Sequence, residues 1–422
     1  MKKNFLKRVL ALSAAAILAV GTLAGCGGDG GNGGGQDSPQ QGGSQQGGTA
    51  QDDNSGDGGS ADAKGGKILY LSNLTSGAQY DYFVAFYENA CKDLGYDFEV
   101  VYGDGFNDPD GNLSAVRNAY TSDVVGLIAC QDGGLGSIMQ EYPDMYVCGF
   151  FSDMDAVFNE DGTSHEVLTN DHFLGNMGDN YITGEELGTA QAEEVIARGY
   201  KKVATIIFPI YAYPKHTAAD AAFRAKIAEY NESASEPIEI VGDATVLEFQ
   251  PLDGSYFLED GHSDLDCIVA ICAGTTFVYP SLVQAKADGS CDARTQMITG
   301  GFENDPDLLA DCGDDKTIVM NVIQAPESAL FPIVMIDNAV QGKQFADYSG
   351  PERMSSGIIK MNSTAAFEAI VNNSPVWDAD LSKMQMSWED MKQYFTRYNE
   401  SATYAGLVEA TTTSLSIDGY LN

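Results

Sequence analysis

Few residues in this 422-residue chain have the type and spacing for covalent or acid–base chemistry. The four histidines are His165, His172, His216 and His262. His165 and His172 share an acidic stretch, but their spacing fits no metal-ligand pattern, and no cysteine pair has zinc spacing. There is no G-x-S-x-G elbow, no H-E-x-x-H and no Walker loop. "NDPDGN" at 107–112 alternates oxygens like the start of a calcium loop. Yet Leu113 stands where that loop needs glycine, and no glutamate closes it, so it reads as a turn capping the next helix. Neither an enzyme nor a metal or other cofactor is expected. The chemistry that remains is recognition. "NLTSGAQYDYFVAFYENACKDLGY", residues 73–96, puts Tyr80, Tyr82 and Phe83 where a strand-like run hands over to a helix. Rings there either pack into a core or hold a flat ligand face.

Those rings need a frame. Short strands, apolar on both faces, alternate with amphipathic helices: "KILYLSN" precedes a helix near 81–94, "FEVVYG" one near 112–121, and "VVGLIAC" one near 134–141. With "MYVCGFF" this predicts a parallel sheet covered by helices, a doubly wound lobe complete by about Phe151. The stretch "SDMDAVFNEDGTSHEVLTNDHFLGNMGDN" reads as a loop. The pattern then restarts, with helices near 182–198, 216–230, 276–288 and 327–342 interleaved with "KVATIIF", "IEIVGD", "CIVAICA", "QMITGGF" and "TIVMNVI". Beyond residue 345, "SGIIKMN" reads as a strand. Trp388, Met391, Tyr394, Phe395 and Tyr398 form a core-facing stripe at helical spacing.

The amino end reads differently. "MKKNFLKR" and the apolar "VLALSAAAILAVGTLAG" form a secretory signal over residues 1–25. Leu23-Ala24-Gly25-Cys26 resembles the bacterial lipobox, which makes Cys26 the lipidation site and membrane anchor. Residues 26–66 are Gly, Ser, Gln and Asp with little to bury, a flexible tether reaching about 35 Å. Net charge is −38, which excludes a nucleic-acid partner, since phosphate neutralisation needs clustered Lys and Arg. Of eight cysteines, Cys130, Cys148, Cys267 and Cys272 lie in apolar runs and read as small buried hydrophobes; Cys291 and Cys312, in loops, could pair.

The order of these elements resembles the type I periplasmic (solute-binding) proteins of ABC importers, relatives of the sugar-binding proteins. "KILYLSN…VVGLIAC", "DNYITGEELGTAQAEEVIARGYKKVATI", "SDLDCIVAICAGTTFVYPSLVQAKADG", "TGGFENDPDLL" and "IVMNVIQAPESALFPIVMIDNAVQGK" carry the resemblance over residues 67–345. It implies an α/β fold of two doubly wound, Rossmann-like lobes joined by a three-crossing hinge. The expected division is 67–152 plus 325–345 for the first lobe, and 153–324 plus 346–422 for the second lobe and tail. Ligand would lie at the carboxyl ends of the strands, with closure about the hinge.

The resemblance further implies Asn73, Tyr80, Tyr82 and Phe83 on the first-lobe wall and Asp132 after its third strand. It implies Tyr211, Tyr213, Thr275, Glu303 and Asp305 in the second lobe and Gln324 at a crossing. Packing for the rings and helix capping for Asp132 and Glu303 stand as alternatives. The implied function is a monomeric, lipid-anchored, extracytoplasmic receptor that delivers a small polar ligand, sugar first and nucleoside second, to an ABC permease. A sensory receptor signalling to a membrane kinase is the alternative. The sequence departs from the family's sugar sites in one loop: "PIYAYPKHTAAD" has Lys215 and His216 where an arginine is common. Ala273-Gly274-Thr275 replaces the usual Asn-Asp.

Overall fold

The computed structural model describes residues 65–72, 74–105, 107–178, 184–210, 213–301, 305–412 and 416–421. Cys26 and the 1–64 segment therefore lie outside the described residues, as do Asn73, Tyr211 and Glu303.

Thirteen strands among the described residues form two sheets. The first contains β1 (Gly66–Ser72), β2 (Tyr96–Tyr102), β3 (Val124–Ala129), β4 (Tyr146–Phe150), β5 (Phe173–Gly178) and β12 (Arg353–Ser355). They lie in the order β12-β5-β4-β3-β1-β2, every pair parallel. The second contains β6 (Lys202–Ile207), β7 (Glu239–Ile240), β8 (Thr245–Val246), β9 (Cys267–Ala270), β10 (Gln296–Ile298), β11 (Ile318–Gln324) and β13 (Ile358–Met361). Its order is β13-β11-β10-β9-β6-β7, with β8 also on β6 and only β13 antiparallel. In both lobes the first strand sits between the second and third in its series, so strand order reverses at β1/β3 and at β6/β9. In doubly wound sheets the crevice for ligand opens outside the carboxyl ends at such a switch point.

Two sequence expectations about the lobes change. The stretch read as a loop contains the short helix Asp155–Phe158, a 3₁₀ turn at His165–Thr169, and β5. All six β5 residues are buried, and the strand pairs with β4, so the first lobe extends past residue 152. "FLGNMG" escapes a sequence reading because Gly and Asn weaken its strand propensity; its neighbours on both sides supply the pairing. The tail does not simply extend the second lobe either. The helix Thr364–Asn373 packs on β13, but Met391, Phe395, Tyr404 and Leu407 lie in the first lobe's core with Ile68, Phe86 and Phe150. The expected stripe at Trp388–Tyr398 does face that core, through one α-helical turn followed by 3₁₀ structure; Tyr398 alone is 48% exposed.

The helix Leu330–Val340 carries the chain from β11 back to the first lobe and is buried along all eleven residues. Gly126 on β3 allows its close approach: a Cβ there would stand 2.6 Å from Ile336 Cγ2. The tail covers the helix's other face. Arg397 grips the buried Asp337 through Nε at 2.9 Å, and Tyr96 donates to the same carboxylate at 2.8 Å. Burial pushes the Asp337 carboxyl up, against the opposing pull of Arg397.

Local signals fix the helix ends. Ala78–Leu94 stops at Gly95, whose φ of 84° is the left-handed conformation glycine adopts without Cβ strain. Pro109–Ala119 starts from Asp108, whose side chain accepts from Asp110 N at 3.2 Å, so the calcium-like stretch is a capped turn. Among the described residues no group of three or more His, Cys, Asp or Glu side chains could hold a metal. No disulfide joins the seven described cysteines: Cys291 instead contacts Thr295 Oγ1 at 3.1 Å, and Cys312 contacts Leu308 O.

Candidate functional site

At the first lobe's switch point, four loops are tied into one polar network. Gln131, at the end of β3, donates to Ser72 O at the end of β1, 3.1 Å away. Its carbonyl accepts from Asn107 N, in the loop after β2. The Asn107 side-chain oxygen accepts from Asp132 N at 3.1 Å and Gly133 N at 2.7 Å, while its amide donates to Asp132 Oδ1 at 2.8 Å. Asp132 Oδ2 accepts from Ala156 N at 2.6 Å, in the first turn of Asp155–Phe158. Asp132 is 4% exposed and both its oxygens bind within the lobe. It positions the loops after β2, β3 and β4, close to the capping alternative, and caps a helix other than its own.

The three rings after β1 part company. Tyr82 is 1% exposed and donates to Pro326 O at 2.6 Å. Phe83 is 2% exposed and sits edge-on to Phe150 with centroids 4.7 Å apart. Both are core residues, so their placement on the cleft wall is corrected. The reason is helical register: Tyr82, Phe83, Phe86, Tyr87 and Ala90 make one buried face at three- and four-residue spacing. Tyr80 points off that face. It is half-buried, and its hydroxyl pairs with that of Tyr102, which is 39% exposed at the end of β2.

In the second lobe the carboxyl ends of β6, β8 and β9 assemble a ring cluster that sequence reasoning mostly missed. Phe208 stacks on Phe249 at 5.1 Å and 13°, meets Phe277 edge-on at 5.1 Å, and lies 5.8 Å from Tyr213. Tyr213 stacks on His216 at 4.9 Å and 7°. Phe249 holds a φ of 55°, an unusual conformation for a non-glycine residue and one that clusters at functional sites. The only signal in the sequence was position: each ring follows a strand end. Burial, and secondarily the charge of Lys215, pushes the His216 imidazole down to about 3, so it stacks as the neutral ring.

Thr275 is buried in the turn after β9. Asp305, half-exposed, caps the helix Pro306–Leu309, accepting from Asp307 N at 2.8 Å. Gln324 is 3% exposed at the end of β11, where the chain crosses lobes. Its amide donates to Ser328 Oγ at 2.7 Å, while its carbonyl oxygen has no protein partner. A buried acceptor left unpaired costs about 1–3 kcal/mol, so a group that donates to it would be bound favourably.

One contact spans the lobes at this end. The Lys215 ammonium, in the first turn of Pro214–Asn231, pairs with Asp153, which follows β4 in the first lobe. Their side chains are 6% and 17% exposed. The strand-end carboxyl faces of the two sheets are thereby brought together. Shallow surface concavities beside Gly136 and Glu166, and beside Glu88 and Tyr96, lie elsewhere.

No family model matches the chain, and no curated protein matches it. Solved structures do match. The periplasmic ribose ABC transporter protein of Conexibacter woesei is 17% identical, with a TM-score of 0.54 over 75% of this chain and 98% of that one. The binding-protein component of the arabinose ABC transporter of a Shewanella species, bound to α- and β-L-arabinofuranose, is 14% identical, with a TM-score of 0.51 over 73% and 95%. A glucose-galactose binding protein of Geobacillus stearothermophilus is 17% identical, with a TM-score of 0.50 over 71% and 97%. The likeness is one of fold: the chain, with its two sheets wound in one strand order, has the two-lobed fold of the periplasmic binding proteins.

Proposed function

We propose that this protein is an extracytoplasmic solute receptor that captures a small polar ligand, a sugar first, between its lobes and delivers it to an ABC permease. The observation that carries the reading is the Lys215–Asp153 contact, which joins the loop after β4 of the first lobe to the helix that follows β6 at the second lobe's switch point. The Phe208–Tyr213–His216 ring wall lies on one side, and the Gln324 carbonyl, open to a donor, lies at the crossing. A sugar's C–H face suits a ring and its hydroxyls suit amides and carboxylates; micromolar affinity requires only about 8 kcal/mol. A nucleoside is the second reading, favoured by the density of flat rings around Phe208. Of the residues expected to touch ligand, Tyr80, Tyr213, Thr275 and Gln324 are retained, and Asp132 and Asp305 act as positioning groups. Anchoring through Cys26 places the receptor on the outer membrane face.

The test is a thermal-shift and calorimetric screen of pentoses, hexoses, nucleosides and amino acids, followed by X-ray scattering at saturation. A sugar or nucleoside should bind, contract the folded body, and bind at least tenfold more weakly to Tyr213→Ala. Binding that leaves the scattering profile unchanged and is indifferent to Tyr213→Ala would refute the cleft site.

A further inference from the structure

The loops that follow the strand ends carry a single lysine or arginine, Lys215. Its position is unusual. It occupies the first turn of the helix Pro214–Asn231, where a cation opposes the helix dipole. That turn contains no acidic residue, and no side chain of the preceding residue caps it. An anion that answers this charge comes from the other lobe, 62 residues earlier: Asp153. The ammonium also lies 6.0 Å from the Tyr213 ring centroid, beside the ring wall. In the same stretches of chain, His216 stacks on Tyr213, and Asp155, two residues from Asp153, is held by Arg353 at 2.8 Å.

We propose that Asp153 and Lys215 form a charge-reading latch between the lobes: closure joins them over the ligand, and because the Lys215 ammonium is then already engaged by Asp153, the site takes uncharged solutes and rejects their acidic counterparts. This rests on the solute-binding reading above and specifies its ligand class. A carboxylate or phosphate on the ligand that seeks the Lys215 ammonium finds it already engaged by Asp153. To reach it, the ligand must break the pair and leave Asp153 charged in a nearly dry gap, the arrangement that is most costly for an ion pair. A neutral hydroxyl imposes no such exchange. The protein's net charge of −38 works in the same direction by repelling anions on approach.

The test uses matched probes measured by calorimetry on the whole folded body: galactose with galacturonate, glucose with glucuronate, and ribose with ribose 5-phosphate. For any pair that binds, the wild type should prefer the neutral member at least tenfold. Asp153→Asn, which leaves the Lys215 charge in place, should shift that ratio toward the acid by tenfold or more, and Lys215→Met should not. An acid bound as well as its neutral partner by the wild type, or a ratio unmoved by Asp153→Asn, overturns the proposal. Thermal unfolding of Asp153→Asn, Lys215→Met and the double variant separates the two levels of failure. If no probe binds, the sugar reading falls and the selectivity with it. If the double variant melts where independent effects would place it, the latch itself is absent and the proposal is overturned whatever binds.

Discussion

His216 gives the sharpest quantitative handle on the site. Its imidazole is 1% exposed, stacked on Tyr213, and next in sequence to Lys215. Burial, then the Lys215 charge, lowers its pKa from 6.5 to about 3. The folded state therefore refuses a proton that the unfolded chain accepts, so stability is full above pH 6.5 and is lost as the pH falls toward 3. Over that window the ceiling is about 4–5 kcal/mol, from about 1.4 kcal/mol per pKa unit. Between pH 7 and pH 5 the loss is about 2 kcal/mol, a figure that requires only that the folded pKa be well below 5. Two buried carboxyls run the other way: burial raises Glu327 and Asp337, so their contributions favour the acid side and fade as pH rises. A comparison with His216→Phe, which keeps a ring in place, cancels both. Urea unfolding at pH 7 and pH 5 should show the wild type losing about 2 kcal/mol more than the variant. Equal losses would mean that the imidazole protonates freely in the folded protein, and the neutral Tyr213–His216 stack beside Lys215 would be wrong.

Two further expectations follow from the rings and the anchor. Phe83→Ala should cost about 3–5 kcal/mol through the cavity left against Phe150, whereas Tyr80→Ala should cost about 1 kcal/mol or less. Tyr80→Ala should instead weaken binding of whichever solute the screen identifies, and a variant that melts early but binds normally would return Tyr80 to the core. Cys26→Ser in the full chain should move the protein from the membrane fraction to the soluble fraction on cell fractionation; unchanged membrane retention would remove Cys26 as the anchor.

The alternation of apolar strands and helices made the two sheets legible, since a strand buried on both faces needs a run of Val, Ile, Leu and Ala such as "VVGLIA" in β3. Asp108 and Gly95 marked helix ends through chemistry that acts locally. What the sequence hid depends on distant partners. β5 is a strand because β4 and β12 flank it, and the last part of the tail, from Gln385 on, packs on the first lobe because Asp337 and Glu327 wait there for Arg397 and Gln385. Tyr82 and Phe83 could have been placed correctly, since the helical register of residues 82–90 already put them on one face with Phe86 and Tyr87. The Asp153–Lys215 contact could not, because nothing near either residue names a counterpart in the other lobe.

Leu407, close to the carboxyl end, shares a core with Ile68, close to the start of the first strand. A chain that emerges amino end first cannot seal that core until nearly all of it is out, whereas every strand of the second sheet has appeared by Met361. The lobe made first is thus the lobe finished last. Until residues 388–412 arrive, the apolar helix Leu330–Val340 has one face bare to water, a natural handhold for a chaperone.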